Sequence, residues 1–150
     1  MNESVVSTVF DLAVYILYKQ GPMTAMKLEK LCYYAQAWSL AWDDVPLFNN
    51  RIEAWINGPV CPDLFAVHSG RYMVDASVFR NGNPDVFSQD QQETIDKVLE
   101  AYGSWTSGEL SAKSHTESPW IDARKGLAPN ERGCNEITFE SMAEYYQGLI

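Results

Sequence analysis

The sequence predicts a mainly α fold: a compact single-domain helical fold of about six or seven helices around a central buried helix, with a minor pair of short β-strands. Three observations predict it. Apolar residues recur at helical spacing through much of the chain. Capping residues and Gly-Pro pairs divide it at short intervals. One segment, Ala25 to about Trp42, is apolar on two opposite sides, as a helix packed between other elements must be. A length of 150 residues suits one domain, 1–150, with one core. An apolar content of 46% and an aromatic content of 13% exclude a disordered chain.

The elements follow in order. Ser4 caps a first helix running to about Lys19, where Val5, Val9, Leu12 and Ile16 recur with Val6, Phe10, Ala13 and Leu17. Gly21-Pro22 ends it. Thr24 opens the central helix. Leu28, Leu31, Ala35, Trp38 and Trp42 form one stripe, and Met26, Tyr33, Ala37 and Leu40 form the opposite one. After the turn at Asp43 to Pro46, residues 51–57 alternate. Ile52, Ala54 and Ile56 face one side; Arg51, Glu53, Trp55 and Asn57 face the other, as in a half-covered strand. Gly58-Pro59 ends that strand, and Pro62 starts a short helix to His68, closed by Gly70. Residues 75–87 show weak strand character around the Asn81 to Pro84 turn. Ser88-x-x-Gln91 is a capping box opening a helix to Gly103. Shorter helices follow at Ser107 to Ser114 and Trp120 to Lys125, the latter capped by Ser118-Pro119. Ile137 forms a brief extended piece before a last helix, Phe139 to Gln147.

Charge narrows the function. Eleven basic residues stand against 20 acidic ones, a net of −9, with no basic run anywhere. Neutralising phosphates needs clustered Lys and Arg, so nucleic acid and anionic membrane surfaces are not expected partners. An acidic surface steers a basic protein. Three cysteines, Cys32, Cys61 and Cys134, are widely spaced and odd in number, which implies no disulfide framework and a cytoplasmic setting. The longest apolar stretch, Leu12 to Tyr18, is too short to span a bilayer, and no signal-peptide pattern is present.

Catalytic signatures are lacking, so the expectation is not an enzyme, with no catalytic residue, no cofactor and no metal. His68 and His115 are the only histidines, without metal-ligand spacing. Ser114 and His115 are adjacent, and neighbours on a helix do not face each other. His115 is expected to hydrogen-bond locally and order the turn before Pro119. No phosphate-binding glycine loop occurs. Trp55, beside Arg51, Glu53 and Asn57 on one strand face, either anchors an interface or packs beneath a helix.

Three stretches carry a resemblance. They are Met26-Lys-Leu-Glu-Lys-Leu-Cys-Tyr-Tyr-Ala-Gln-Ala-Trp38, Ile52-Glu-Ala-Trp-Ile-Asn-Gly-Pro-Val60, and Leu110-Ser-x-x-Ser-His115 followed by Ser118-Pro-Trp120. From about Val9 to Tyr146 the chain resembles the Panacea-domain, SocA-like antitoxin family of phage- and prophage-associated proteins. Cys61 departs from the pattern, standing where a β-branched or other apolar residue is expected. The resemblance implies an antitoxin of a toxin–antitoxin system that neutralises a cognate protein toxin by direct binding. It implies as alternatives a proteolytic adaptor delivering the toxin to an AAA+ protease, or a phage accessory protein that blocks a host factor. An enzyme reversing the toxin's modification is a further rival, marked by sub-stoichiometric turnover. The expected contact residues are the anchors Tyr34, Trp55 and Phe65 with the polar neighbours Lys27, Glu53 and Asp63.

Overall fold

Thr24 starts the helix on which the other elements are arranged. The computed structural model describes residues 7–150. In it the Thr24 hydroxyl accepts from the Lys27 amide and opens a helix from Ala25 to Asp43, designated α2 below. Both predicted apolar faces are covered: Leu28, Leu31, Ala35, Tyr33 and Ala37 are buried. Each such leucine contributes about 2 kcal/mol of transfer free energy. Trp42 departs from its stripe and lies 42% exposed at the helix end.

The remaining helices surround α2. They are α1 (Val9–Gln20), α3 (Pro62–His68), α4 (Gln89–Tyr102), α5 (Ser107–Ser114), α6 (Ser118–Ala123) and α7 (Phe139–Gln147), with α4 and α7 packed most extensively on α2. The first helix begins later than its apolar period suggests. Its cap is Thr8, in a reciprocal box with Asp11; the expected cap Ser4, with Val5 and Val6, lies outside the described residues. The Ser88–Gln91 capping box forms as read, and Thr106 with Glu109 makes another for α5. The cap position of α6 belongs to Glu117 instead of Ser118, and no side chain bonds its first turn.

Two small antiparallel pairs complete the fold. β1 (Met23–Thr24) pairs with β4 (Met73–Val74), and β2 (Glu53–Trp55) pairs with β3 (Gly58–Val60). Gly58-Pro59 therefore does not end the strand region. It is the returning strand of a hairpin whose turn is Ile56-Asn57, and Ile56 leaves the buried face that Ile52 and Ala54 keep. Residues 75–87 hold two 3-10 turns, Ala76–Val78 and Pro84–Val86, each opened by an Asp or Asn side chain that bonds the backbone two residues on. The extended piece near Ile137 does form: Glu136 bridges Glu53, and the Ile137 amide donates to the Ile52 carbonyl.

Polar side chains of α2 staple the irregular segments to the core. Gln36 bonds both the Phe48 carbonyl and the Leu47 amide, each at 2.7 Å, so Leu47 and Phe48 are held at full burial within an otherwise exposed loop. Glu29 accepts from the Cys61 amide at 2.8 Å and pairs with His68 Nε2 at 2.7 Å, fixing both ends of α3. Buried polar groups are tolerated when they are satisfied in this way.

Candidate functional site

The β2–β3 hairpin is clamped by side chains of α5 and α6 and their ends through three of its backbone carbonyls. Arg124 Nη1 donates to the Ala54 carbonyl at 3.0 Å and Trp120 Nε1 to the Trp55 carbonyl at 2.8 Å. The Ser111 hydroxyl donates to the Asn57 carbonyl. His115 stacks flat on Trp120, with centroids 4.0 Å apart, and the Arg124 guanidinium lies 5.2 Å from the same ring. His115 thus joins the clamp through its stack on Trp120, while its backbone amide donates to the Ser111 carbonyl within its own turn. Donor side chains on short helices present rigid geometry to a strand that carries no long ladder of its own.

Beneath the hairpin lies α2. Gly58 has φ +122°, where L side chains are strained, and a Cβ there would sit 2.7 Å from Lys30 Cε and 3.0 Å from Ser114 Oγ. Close approach to a buried lysine stem is thus a second reason for glycine at this position. Lys30 is fully buried, and its Nζ has no hydrogen-bond partner among the described residues. Burial pushes its amine down to about 8, with Glu29 opposing the shift.

The hairpin forms one wall of a cleft of about 540 Å³, lined by Met26, Glu53, Trp55, Ile56, Asn57, Val60, Arg132, Gly133 and Cys134. Arg124 also donates to the Ala128 and Glu131 carbonyls, holding the opposite loop. Arg51 ties the walls together: it donates to Glu53 at 2.8 Å, to Glu136 at 3.2 Å and to the Cys134 carbonyl at 2.9 Å. Trp55 Nε1 donates to Glu53 at 2.9 Å, and its ring meets Phe65 edge-on at 4.9 Å. The tryptophan is half-buried, with its polar edge satisfied and its ring oriented before any partner arrives.

The structure brings Glu53, Trp55 and Phe65 together. Asp63 lies exposed on the same short helix as Phe65 and accepts from Asn50 Nδ2 at 2.8 Å. Lys27 stands apart from the cleft lining and donates to the Gly103 carbonyl at 2.6 Å, at the carbonyl end of α4 where a cation is favoured. Tyr34 is not a surface anchor: it is fully buried, stacked on Tyr102 at 4.4 Å, and donates to Glu117 at 2.7 Å. Sequence reasoning placed Arg51 on the Trp55 face without a role and missed Ser111, Arg124 and Arg132, of which only Ser111, inside the third motif, carried a signal.

His115 gives the hairpin a pH dependence. Burial, then Lys30, then Arg124 push its pKa below the ordinary 6.5, and the Ile56 contact opposes them. A histidine depressed in the folded state binds fewer protons there than when unfolded. Its contribution to stability is therefore complete above about pH 6.5 and is lost as pH falls toward the folded value. Urea midpoints measured from pH 7 to pH 5 are expected to fall more shallowly in His115→Asn than in the parent. Parallel curves would remove the assignment.

Among the described residues no group of three or more His, Cys, Asp or Glu is placed to hold a metal ion, and no helix is long and apolar enough to cross a membrane. No solved structure matches the chain. The family described as antitoxin SocA-like, Panacea domain, matches residues 28–121, which run from α2 through the hairpin to α6. Antitoxin SocA of Caulobacter vibrioides (strain NA1000 / CB15N) is 31% identical over 120 residues, covering 73% of this chain and 64% of that protein. The chain therefore spans a little under two thirds of that relative. The matched segment holds the second and third motifs and all but the first two residues of the first, and the geometry explains them jointly: the first supplies the floor, the second the hairpin, the third most of its clamp. On these grounds the chain belongs to the SocA-like antitoxin family defined by the Panacea domain.

Proposed function

We propose that this chain is the antitoxin of a toxin–antitoxin pair and neutralises its cognate protein toxin by direct binding at the cleft beside Trp55. No catalytic step is part of this reading. Family membership supports the antitoxin role. The observation that carries the binding surface is the clamped hairpin: three of its backbone carbonyls, those of Ala54, Trp55 and Asn57, are held by side chains of Arg124, Trp120 and Ser111. An aromatic anchor held in place loses little conformational freedom on binding, and buried aromatic anchors dominate interface energies. The net charge of −9 favours a basic toxin and chiefly raises the association rate.

Co-expression with the product of the adjacent gene tests the proposal. A stoichiometric complex with rescued growth is the expected result. Rescue without a complex contradicts neutralisation by occupancy; a shortened toxin half-life in that case identifies delivery to a protease. Within a complex, Trp55→Ala is expected to weaken binding by about 30-fold, the equivalent of a 2 kcal/mol hot spot. Its circular dichroism spectrum should match the parent's, because Trp55 lies outside the buried core. Unchanged affinity by calorimetry would remove Trp55 from the interface.

A further inference from the structure

A second exposed face lies at the other end of α2. Met26 of the cleft and Trp42 are sixteen residues apart on this helix, which separates them by about 24 Å at the helical rise. Trp42 is 42% exposed and Val45 44% exposed, both large apolar side chains that the fold leaves without cover. Trp42 does not stand alone: its ring lies 4.8 Å from that of Trp38, which packs on Tyr146 of α7. The exposed ring is therefore the outer end of an aromatic stack rooted in the core, a rigid surface and not a loose side chain.

Beside it runs a groove of about 570 Å³ between the end of α2 and the start of α4, with Val45, Asp43, Asp90, Glu93 and Lys97 among its lining. Its charge is one-sided. Asp43 accepts from the Thr94 hydroxyl at 2.6 Å, while Asp90 and Glu93 enter no ion pair among the described residues. Asp90 suits the first turn of α4; Glu93 and Asp43 have no such role. The single cation, Lys97, points to the aromatic face, with Nζ 5.9 Å from the Trp42 centroid. A tryptophan face attracts cations, and Lys97 takes that place on Trp42.

We propose that this face docks a basic, aliphatic segment of a protein, independently of the Trp55 cleft. Arginine or lysine side chains of that segment meet Asp43, Asp90 and Glu93, and an aliphatic side chain covers Trp42 and Val45. Charge complementarity selects this occupant: an acidic segment would face three carboxylates, and a purely apolar one would bury them unpaired.

The test titrates the full chain with a synthetic amphipathic peptide of leucine and lysine, and with its glutamate-for-lysine counterpart, followed by calorimetry and tryptophan fluorescence. The lysine peptide should bind, and the glutamate peptide should not. Binding should weaken about tenfold or more in Trp42→Ala and in the doubly substituted Asp90→Asn, Glu93→Gln chain, whose exposed side chains are not needed for folding. Tyr72→Ala, at an aromatic 79% exposed elsewhere, should leave it unchanged. No binding of the lysine peptide, equal binding of the glutamate peptide, or equal losses in Tyr72→Ala and Trp42→Ala would each overturn the proposal.

Discussion

Glu117→Ala is expected to destabilise the fold by about 3 to 5 kcal/mol, lowering the melting temperature by about 10 °C. Glu117 is 1% exposed, and one carboxylate oxygen accepts from both Tyr34 and Tyr146, each at 2.7 Å. Burial, with Glu117 contributing, raises both tyrosines far above the ordinary phenol range, so both hydroxyls remain donors at any accessible pH. Removing the carboxylate strands two buried hydroxyls at the junction of α2, α6 and α7, although Tyr146 keeps Tyr33 at 3.0 Å. Lys113, 4.0 Å from the second oxygen and largely exposed, contributes little by comparison. Tyr34→Phe and Tyr146→Phe should each cost less than Glu117→Ala, since each strands only one partner. Thermal melts of the three variants check the order. A Glu117→Ala chain as stable as its parent would show that the network is dispensable.

Lys30→Met is expected to act in the opposite direction and stabilise the fold by about 2 to 3 kcal/mol at pH 7. The lysine amine is pushed from 10.5 down to about 8, so at neutral pH the folded state holds an unpaired buried ammonium. A shift of that size corresponds to roughly 3 kcal/mol against the folded state. Methionine fills the same stem volume without the charge. The sign fixes the pH behaviour. A lysine depressed in the folded state binds fewer protons there, so the parent gains stability as pH rises from about 8 to 10.5. The advantage of Lys30→Met is constant below about pH 8 and shrinks above it. Chemical denaturation at pH 7 and pH 10 measures both. Destabilisation at pH 7 would mean that the ammonium is satisfied inside the protein.

The sequence made the scaffold legible wherever periodicity and capping agree. Both apolar sides of α2 were readable, and so was Ser88-x-x-Gln91, because these signals are local. The start of α1 misled because Val5 and Val6 continue its period past the Thr8 cap, so periodicity outran the chemistry that stops the helix. The role of Glu117 has no local signal. Ser118-Pro119 looks like a helix entrance, while the glutamate is committed to tyrosines 83 and 29 residues away. The hairpin clamp joins residues 54, 65 and 70 positions apart, and no local pattern announces such pairs. Tyr34 marks the limit most sharply. Its place on the helix suits a core residue and a surface anchor alike, and only the packing of α6 and α7 over it decides.

The central claim is that the toxin meets the clamped hairpin and the facing loop. Amide hydrogen exchange of the chain alone and in its complex tests that claim most directly. The account predicts added protection at residues 53–60 and 130–135, with α1 unchanged. Protection confined to other segments, with the hairpin exchanging as it does in the free chain, would contradict it.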